Sequence, residues 1–463
     1  MDYDIIIVGS GPGGYVAAIR AAQLKMKVAV VEKAELGGIC LNWGCIPTKS
    51  LLKSAQVFEY IKHASDYGIT ISGEAKPDFK AIVARSRSVA DGMSKGIQFL
   101  FKKNNIEHIK GFARLAGGNS VEVEDSDGNR KKYTAKNIIL ATGARSKELP
   151  AFKQDGKKII GYREAMTLDK QPASMIVVGS GAIGSEFANF YQSIGTDVTL
   201  IEFLPRIVPN EDEEVSKQLE RSFKKMKMKI MTDSTVESVD TSGEKCKVSI
   251  KTPRGTEIQE ADIVLSAVGV TTNIEGIGLE KAGVKTEKSK VVVDDFYQTS
   301  VPGIFAIGDI VHGPALAHVA SAEGIICVEK IADLDVHPLD YGNIPACTYT
   351  TPEIASCGMT EQAAKDAGYE IKVGKFPFTA SGKASSAGAK DGFVKLIFDA
   401  NYGELLGAHM IGSNVTEMIA EIVVARKLET TAHEIIKSVH PHPTMSEAIM
   451  EAAAAAYGEV IHL

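Results

Sequence analysis

Two cysteines five positions apart are the residues of this chain most clearly suited to chemistry. Cys40 and Cys45 lie in a glycine-rich loop, Gly37 to Lys49, in which a proline follows the second cysteine. Apolar residues after the loop repeat at helical spacing, which places Cys45 close to a helix N-terminus. A helix N-terminus favours negative charge and lowers a thiol pKa, and Lys49 adds a cation in the first turn. The loop therefore predicts a dithiol that opens and closes as a disulfide during turnover.

A cysteine pair also fits two other roles, as buried core residues or as half of a zinc site. Zinc usually takes four protein ligands, and the sequence has no second Cys or His pair at ligand spacing. No metal site is therefore predicted. The remaining cysteines stand among apolar neighbours and are interpreted as small core residues. They are Cys246, Cys327, Cys347 and Cys357.

Length and composition limit the function classes. A chain of 463 residues is long enough for three ordinary domains, and 44% hydrophobic with 24% charged residues is typical of a soluble globular protein. The net charge of −6 gives no reason to expect nucleic acid as a partner, and no apolar run approaches a membrane span. The N-terminus reads as a buried strand rather than a signal peptide. We therefore expect a reducing, cytoplasmic location without structural disulfides, and neither a nucleic-acid nor a membrane partner.

A strand, a glycine turn and a helix precede the cysteine loop. An apolar strand leads into Gly9, Gly11 and Gly14 in the pattern GxGxxG, a helix follows to about Leu24, and a second apolar strand ends in Glu32. In this context the pattern predicts a dinucleotide site. The second glycine lets backbone reach a pyrophosphate at the helix N-terminus, and the terminal glutamate can accept hydrogen bonds from ribose hydroxyls.

The same unit recurs later in the chain. Gly179, Gly181 and Gly184 follow a second apolar strand, and Glu202 ends the strand after the helix, again 23 positions beyond the first glycine. A carboxylate there pairs with a free 2′-hydroxyl and repels a 2′-phosphate, so NAD is expected rather than NADP. The alternative interpretation is a solvated glutamate at the strand end.

Each copy closes with a polar strand pair, an apolar strand and a glycine. The first copy ends at Thr142 and Gly143 and the second at Gly269, and the first is longer, 134 positions against 90 from first to closing glycine. The cysteine loop lies within the extra length. We infer two nucleotide-binding domains of one design, with the redox centre inserted into the first. Two dinucleotides and a dithiol imply electron transfer through a flavin.

Two segments further along add candidate binding residues. An apolar strand that ends in Gly308 and Asp309 suits a carboxylate that binds a ribityl or ribose chain, although a simple turn fits equally. The segment from Ala315 to His318 follows and starts an apolar helix, and His318 by itself reads as a structural residue.

The last third of the chain reads as a separate α+β domain. Its strand from Phe393 to Phe398 is interpreted as alternating between two faces, and helices are expected from Thr416 and Thr431.

Near the C-terminus, two prolines hold two histidines in extended backbone before a helix that is expected to start at about Thr444. The nearby Glu447 has two interpretations. It completes a capping box with Thr444, or it orients His442 as an acid–base catalyst. Spacing alone favours neither.

With these motifs placed, the chain resembles the flavin disulfide reductase family, and within it the members that oxidise dihydrolipoamide. The similarity extends from Tyr3 to Ile461 and rests on GGICLNWGCIPTK, both glycine fingerprints, PGIFAIGD and HPHPTMSE. It implies an α/β and α+β fold with two Rossmann-like domains and a C-terminal α+β domain. The implied domains are an FAD-binding domain with the redox disulfide at 1–148, an NAD-binding domain at 149–272, a central segment completing the FAD domain at 273–343, and a dimerisation domain at 344–463.

The resemblance also implies a role for each candidate residue. Cys40 would be the thiol that meets the substrate disulfide, and Cys45 the thiolate next to the flavin. Lys49 would lie beside the flavin and pair with Glu186 on the helix of the second fingerprint. His442, supported by Glu447, would act as base across a dimer interface. The implied FAD contacts are Gly9, Gly11, Gly14, Glu32, Lys49, Thr142, Gly143, Asp309, Ala317 and His318, and the implied NAD contacts are Gly179, Gly181, Gly184, Glu202 and Gly269.

The activity implied by the resemblance is oxidation of dihydrolipoamide to lipoamide with reduction of NAD, carried out by an FAD-containing homodimer. Its implied partners are the lipoyl domains and the peripheral-subunit-binding domain of a 2-oxo-acid dehydrogenase complex acyltransferase, or the lipoyl protein of glycine cleavage. The alternatives are another NAD(P)H-dependent disulfide reductase, of the glutathione or mercuric type, and a non-catalytic flavoprotein scaffold.

Two positions depart from the family pattern, Trp43 where an aliphatic residue is frequent and Val270 where many members have arginine.

Overall fold

The computed structural model describes every residue from Met1 to Leu463, and the chain divides into two compact units. The first contains Met1–Ser50, Lys80–Lys147 and Val270–Leu339, and the remaining residues form the second. Both units therefore combine segments that are far apart in the sequence. No helix combines the length and the apolar character needed to cross a lipid bilayer.

The first part of the chain, up to Gly269, holds the two glycine fingerprints. Its helices and strands are β1 (Tyr3–Val8), α1 (Pro12–Gln23), β2 (Val28–Glu32), α2 (Gly38–Trp43), α3 (Cys45–Lys62), α4 (Phe79–Lys103), β3 (Glu107–Lys110), β4 (Phe112–Leu115), β5 (Ser120–Glu124), β6 (Arg130–Leu140), β7 (Ala144–Ser146), β8 (Ile159–Ile160), α5 (Tyr162–Ala165), β9 (Ser174–Val178), α6 (Ala182–Ser193), β10 (Asp197–Ile201), α7 (Glu213–Lys225), β11 (Lys229–Met231), β12 (Thr235–Asp240), β13 (Cys246–Thr252), β14 (Gly255–Ala261) and β15 (Ile263–Ser266).

The rest of the chain returns to the first unit and then forms the C-terminal part of the second. Its elements are β16 (Val270–Thr272), α8 (Leu279–Ala282), β17 (Thr286–Glu287), β18 (Lys290–Val291), β19 (Ile304–Ala306), α9 (Ala317–Ile331), β20 (Ala346–Thr348), β21 (Glu353–Gly358), α10 (Glu361–Asp366), β22 (Ile371–Pro377), α11 (Gly382–Ser386), β23 (Phe393–Asp399), β24 (Leu405–Gly412), α12 (Val415–Lys427), α13 (Ala432–Lys437) and α14 (Glu447–Ala456).

The main sheet of the first unit has seven strands in the order β3-β2-β1-β6-β5-β4, with β19 paired to β6. The strands β1, β2, β3 and β19 run parallel to their neighbours, whereas β4 and β5 form an antiparallel extension. Ile5 and Ile7 belong to the core on one face, and Ile6 and Val8 to the core on the other. A parallel strand covered on both faces is apolar where it is covered, as residues 5–8 of β1 are.

The second unit contains the repeated nucleotide-binding design and the C-terminal domain. A five-stranded parallel sheet has the order β11-β10-β9-β15-β8, and β12, β13 and β14 form a separate antiparallel sheet. The C-terminal sheet is antiparallel, in the order β20-β21-β24-β23-β22. This architecture confirms the predicted fold class of two Rossmann-like sheets with a C-terminal α+β domain.

The four cysteines outside the loop pack among apolar side chains, as predicted. Cys246, Cys327 and Cys357 are buried, and Cys347 is half-buried against the core of the C-terminal domain.

The strand that begins at Phe393 alternates between two faces as interpreted, but all seven residues of β23 are buried, so both faces are covered. Helices and strands of the C-terminal domain cover one face, where Val394, Leu396 and Phe398 pack. The other face, which carries Lys395, is covered as well. The lysine in this strand is therefore a buried residue and not a solvent-facing one.

The ammonium group of Lys395 is held by three carboxylates of the second unit, two at the start of α7 and one at the start of α10. Its Nζ lies 3.0 Å from Asp212 Oδ1, 2.9 Å from Glu214 Oε2 and 2.7 Å from Glu361 Oε2. Burial opposes the charge, but the three carboxylates hold the pKa of Lys395 above its ordinary value. Because Lys395 belongs to β23 while two of the acids stand at the start of α7, this cluster joins the C-terminal sheet to the nucleotide-binding part of the same unit.

Replacing Lys395 with Met should lower the free energy of unfolding of the second unit by about 3–5 kcal/mol, because it leaves a buried carboxylate without its cation. The thermal unfolding midpoint measures this effect. Lys390→Met, at an exposed position, is the control and should leave the midpoint unchanged. Adding Asp212→Asn should recover part of the loss, and a Lys395→Met protein as stable as the parent would contradict the role of the cluster.

A second buried acid stands next to this cluster and should make stability depend on pH. Burial, with a smaller contribution from the charge of Asp212, raises the pKa of Glu211 to about 7. Its Oε2 atom has no hydrogen-bond partner. The folded chain therefore binds more protons than the unfolded chain between about pH 4.5 and 7, so the free energy of unfolding falls as the pH rises through that window.

Glu211→Gln removes this titration and should unfold at a higher temperature than the parent at pH 8 but at a similar temperature at pH 5. Thermal unfolding across this pH range checks the prediction. The control Glu213→Gln removes a neighbouring carboxylate that lies at the surface, and it should leave the shape of the pH profile intact. Parallel pH profiles for Glu211→Gln and the parent would refute the assignment.

Candidate active site and dinucleotide cradles

The two cysteines of the loop lie on successive helices of the first unit. Cys40 belongs to α2, and Cys45 is the first residue of α3, which confirms the predicted position at a helix N-terminus. The two thiols are hydrogen-bonded to each other. This hydrogen bond, together with burial, raises the pKa of the Cys40 thiol, while the charge of Lys49 opposes the shift. Cys40 therefore keeps its proton in this arrangement.

The cysteine loop is attached directly to the first glycine fingerprint. The N–H of Gly37 donates to the carbonyl oxygen of Ser10 at 3.1 Å and contacts the hydroxyl of the same serine at 3.2 Å. At Gly38, which has a φ of 62°, a Cβ would lie 2.6 Å from the Cα of Gly11. The helix that carries Cys40 therefore begins in contact with the loop expected to hold a pyrophosphate.

The two fingerprints share one geometry. A Cβ on Gly14 would lie 2.0 Å from the oxygen of Gly9, and a Cβ on Gly184 would lie 1.8 Å from the oxygen of Gly179. The second glycine of each fingerprint, Gly11 or Gly181, is not crowded in this way, because a Cβ there would meet no atom within 4 Å. In each fingerprint, the third glycine makes a contact in which only a hydrogen atom fits. The second glycine leaves the backbone open at the start of a twelve-residue helix, and such an open helix N-terminus suits a pyrophosphate.

The two acidic residues are held by matching serines. Both N–H and hydroxyl of Ser10 donate to Glu32 Oε2 at 2.9 Å, and those of Ser180 donate to Glu202 Oε2 at 2.8 and 2.6 Å. Glu202 is only 7% exposed, so it is not a solvated strand-end glutamate. Sequence reasoning missed the serines, although both fingerprints read Gly-Ser-Gly. Direct contact of either glutamate with a ribose stays a prediction.

Asp309 stands in a short 3₁₀ turn, Gly308–Ile310, of the first unit. The N–H of Gly308 donates to Glu323 Oε2 at 2.6 Å, and that glutamate is buried on α9. Burial raises the pKa of Asp309, and the charge of Lys290 opposes the shift. Sequence reasoning missed Glu323, for which the signal was a carboxylate among the small and apolar residues in the middle of a helix.

The expected helix after this turn begins at Ala317, two residues later than the sequence suggested, and His318 lies exposed on its first turn. Thr142 Oγ1 donates to the carbonyl oxygen of Asn273 at 2.7 Å, and the N–H of Asn273 donates to Gly143 at 2.8 Å. These bonds hold the segment that follows the closing strand β6 of the first copy. The contacts of these residues with FAD stay predictions.

In the second unit, Glu186 is buried on α6 and its Oε1 accepts the N–H of Tyr349 at 3.0 Å. This buried carboxylate therefore has a backbone donor among its apolar neighbours. Its pairing with Lys49 stays a prediction, as does contact of Gly269 with NAD. Val270 is 44% exposed at the start of β16.

Near the C-terminus, the capping box is not formed, because Ser446 is the N-cap of α14 and the hydroxyl of Thr444 donates to the carbonyl oxygen of Pro441. The acid–base role of His442 stays a prediction. Glu447 contacts both His442 and Thr444. Its Oε1 lies 2.9 Å from His442 Nδ1, and its Oε2 accepts the N–H of Thr444 at 2.8 Å. Partial burial opposes ionisation, but these two contacts hold the pKa of Glu447 below its ordinary value. The helix α14 begins at Glu447, so the expected start at Thr444 is wrong by three residues. The carboxylate of Glu447 therefore orients the imidazole of His442, and the side chain of His442 is 78% exposed.

Comparison with known proteins agrees with this geometry. Residues 3–324 match the family model described as pyridine nucleotide-disulphide oxidoreductase, and residues 344–453 match its dimerisation domain. Proteins named dihydrolipoyl dehydrogenase from Rhizobium etli and Zymomonas mobilis are each 49% identical, over 99% of this chain and 99% of theirs. The crystal structure of LpdA from Mycobacterium tuberculosis has a TM-score of 0.91 at 27% identity, covering 97% of this chain and 98% of that one.

Alanine substitutions at the crowded third glycine and at the open second glycine of a fingerprint should have different effects, the first on stability and the second on binding. Gly184→Ala drives a Cβ into backbone and should lower the thermal unfolding midpoint, whereas Gly181→Ala has room for its Cβ and should fold normally. Gly181→Ala should instead weaken NAD binding by tenfold or more, because the methyl group occupies the pyrophosphate approach. Calorimetric titration with NAD, next to thermal unfolding, separates the two effects. Equal unfolding losses in both variants would contradict the open cradle.

Proposed function

The chain belongs to the pyridine nucleotide-disulphide oxidoreductase family, and from that membership we infer that it oxidises dihydrolipoamide to lipoamide with NAD as electron acceptor. One observation carries the proposal beyond the family. Hydrogen-bonded thiols, Cys40 and Cys45, stand at a helix N-terminus on a loop attached to a dinucleotide fingerprint. Relatives similar over nearly their whole length have the corresponding activity in their names.

The residues present fit FAD in the first unit and NAD in the second. Gly11 and Gly181 offer open backbone at helix N-termini, and Glu32 and Glu202 are held in place by serines beside them. A carboxylate at the second position favours NAD over NADP. FAD, when bound, supplies two-electron redox chemistry between a dithiol and a nicotinamide. We assign Asp309 to its ribityl chain, and Thr142, Gly143, Ala317 and His318 to its remaining contacts.

The chain's own residues carry out thiol–disulfide exchange. A substrate thiolate attacks Cys40 of the Cys40–Cys45 disulfide, the bond between the cysteines breaks, and Cys45 leaves as a thiolate that the N-terminus of α3 favours. The second substrate thiol then closes the ring disulfide of lipoamide and releases Cys40. The substrate loses two electrons, which remain on the cysteine pair, and two protons.

His442 takes the first substrate proton and the second ends on Cys40. The Nδ1 atom of the imidazole is committed to Glu447, which leaves Nε2 for the substrate. The dimerisation domain supports a homodimer. We propose that the histidine acts on the cysteines of the partner subunit, and that Lys49 and Glu186 form a pair beside the flavin.

We also propose the division into an FAD domain at 1–148, an NAD domain at 149–272, a segment completing the FAD domain at 273–343, and a dimerisation domain at 344–463. The partners proposed are lipoyl domains and the peripheral-subunit-binding domain of a 2-oxo-acid dehydrogenase complex, or the lipoyl protein of glycine cleavage. The dihydrolipoamide activity supports this choice, since dihydrolipoyl groups are carried by such proteins.

The deciding experiment measures NADH formation from dihydrolipoamide and NAD, next to NADPH oxidation by glutathione disulfide. Turnover is expected only with the first pair. Cys45→Ser should abolish it, because no disulfide can form, and Cys347→Ser, at another half-buried cysteine, should retain it. A yellow, dimeric protein that does not oxidise dihydrolipoamide would overturn the proposal, and turnover with glutathione disulfide would indicate the rival class of reductase.

Two histidine–glutamate pairs in the same segment provide a matched test of the proposed base. His442→Gln should lower kcat by about 10²–10⁴-fold, the range that general acid–base catalysis contributes. Glu447→Gln should cause a smaller loss, since the ring keeps a hydrogen-bond partner but no counter-charge. His440→Gln disrupts the neighbouring pair with Glu421 and should keep near-parent turnover. Equal losses in the His440 and His442 variants would rule out a specific role for His442.

A further inference from the structure

The junction between the two cysteine-bearing helices determines how close their sulfur atoms can come. The helix α2 ends at Trp43, and α3 begins at Cys45, so only Gly44 separates them. Gly44 has φ −143° and ψ −115°, which belongs to neither helix. A small change in this backbone would therefore move Cys40 relative to Cys45.

An arginine from α4 holds the α2 side of this junction. The guanidinium carbon of Arg87 lies 4.2 Å from the centre of the Trp43 indole ring, within the range of a cation–π interaction. Its Nη2 also donates to the carbonyl oxygen of Asn42. Carbonyl groups at the end of a helix lack partners within the helix and attract cations, so this contact fits the C-terminal end of α2.

A second arginine on α4 holds the α3 side. Arg85 Nη1 donates to the carbonyl oxygen of Ser50 at 3.0 Å and to its hydroxyl at 2.7 Å. Within α3, the hydroxyl of Thr48 donates to Gly44 at 2.7 Å. The same helix therefore holds the chain on both sides of the glycine between the cysteines.

We propose that Arg87 and Trp43 form a positioning pair that keeps Cys40 and Cys45 within bonding reach as their disulfide breaks and re-forms. The inference rests on the redox cycle of the proposed function and adds a residue that touches neither sulfur. Planarity matters here, because the guanidinium stacks on a ring and bonds a carbonyl at the same time. The cation alone would not reproduce both contacts.

The test measures the equilibrium between thiols and disulfide in the holoenzyme. Protein is equilibrated with mixtures of glutathione and glutathione disulfide. The glutathione disulfide takes up the two electrons and two protons released when the Cys40–Cys45 bond forms. Remaining thiols are then alkylated and counted by mass. Arg87→Met should lower the equilibrium constant for disulfide formation by about tenfold, as expected when a stacking and a charge-assisted contact are both lost.

Arg87→Lys distinguishes positioning from charge. It keeps the cation but not the planar group, so it should resemble Arg87→Met; an equilibrium constant equal to that of the parent would overturn the stacking role. Lys95→Met removes an exposed cation from the same helix and should change the constant by less than twofold. A folded Arg87→Met protein with the parent's constant would overturn the inference.

The tryptophan provides an independent readout, since it is the only one in the chain. Its fluorescence emission should shift to the red in Arg87→Met, as the indole loses the group that covers it. Trp43→Leu should lower the equilibrium constant several-fold, and the double variant should be no worse than Arg87→Met alone, because the two residues act as a unit. If Arg87→Met does not fold, Trp43→Leu decides, and a parental constant in that variant overturns the inference.

These outcomes separate the inference from the proposed function. A tenfold effect of Arg87→Met in a protein that does not oxidise dihydrolipoamide supports the positioning pair and overturns only the substrate assignment. A parent protein that forms no Cys40–Cys45 disulfide in any of the mixtures overturns both.

Discussion

The close approach of α1 to the turn at Gly9 determines where the chemical groups of the first unit lie. Only a hydrogen atom fits between Gly14 and the oxygen of Gly9, so the helix starts directly against the end of β1. That contact presents Ser10 to two segments at once. Its hydroxyl and N–H bind Glu32, and its hydroxyl and carbonyl oxygens bind the N–H of Gly37. One turn therefore fixes both the expected ribose carboxylate and the start of the cysteine loop.

The second copy uses the same hydrogen bonds for a different purpose. Ser180 binds Glu202 as Ser10 binds Glu32, and its hydroxyl and carbonyl oxygens each lie 3.2 Å from the N–H of Val208. In the first copy the segment held in this way leads into the cysteines. In the second copy it leads to Asp212 and the buried Lys395. A duplicated cradle thus positions a redox loop in one unit and a link to the C-terminal sheet in the other.

Sequence predicted the parts of the site that depend on local geometry. Glycine spacing and a cysteine at a helix start are properties of adjacent residues, and they could be read without knowing the fold. The two interpretations of Glu447 could not be separated from spacing because both place its carboxylate near Thr444 and His442, and its two oxygens contact one of these residues each. The burial of Lys395 was not predicted, because alternation shows which residues share a face but not whether that face is covered. Arg87 was missed because its partners are more than forty positions away in the sequence.

His440 and His442 differ in their surroundings, and the difference favours His442 as the proposed base. His440 is bonded at both ring nitrogens, to Glu421 and to the carbonyl oxygen of Ser438, and its side chain is only 7% exposed. The carboxylate of Glu421 raises its pKa, so its charge stabilises the local structure. His442 also has a glutamate partner, Glu447, but 78% of its side chain is exposed. An acid–base group needs a carboxylate behind the ring and room for a substrate in front of it, so of the two histidines His442 is the better candidate for the proposed base.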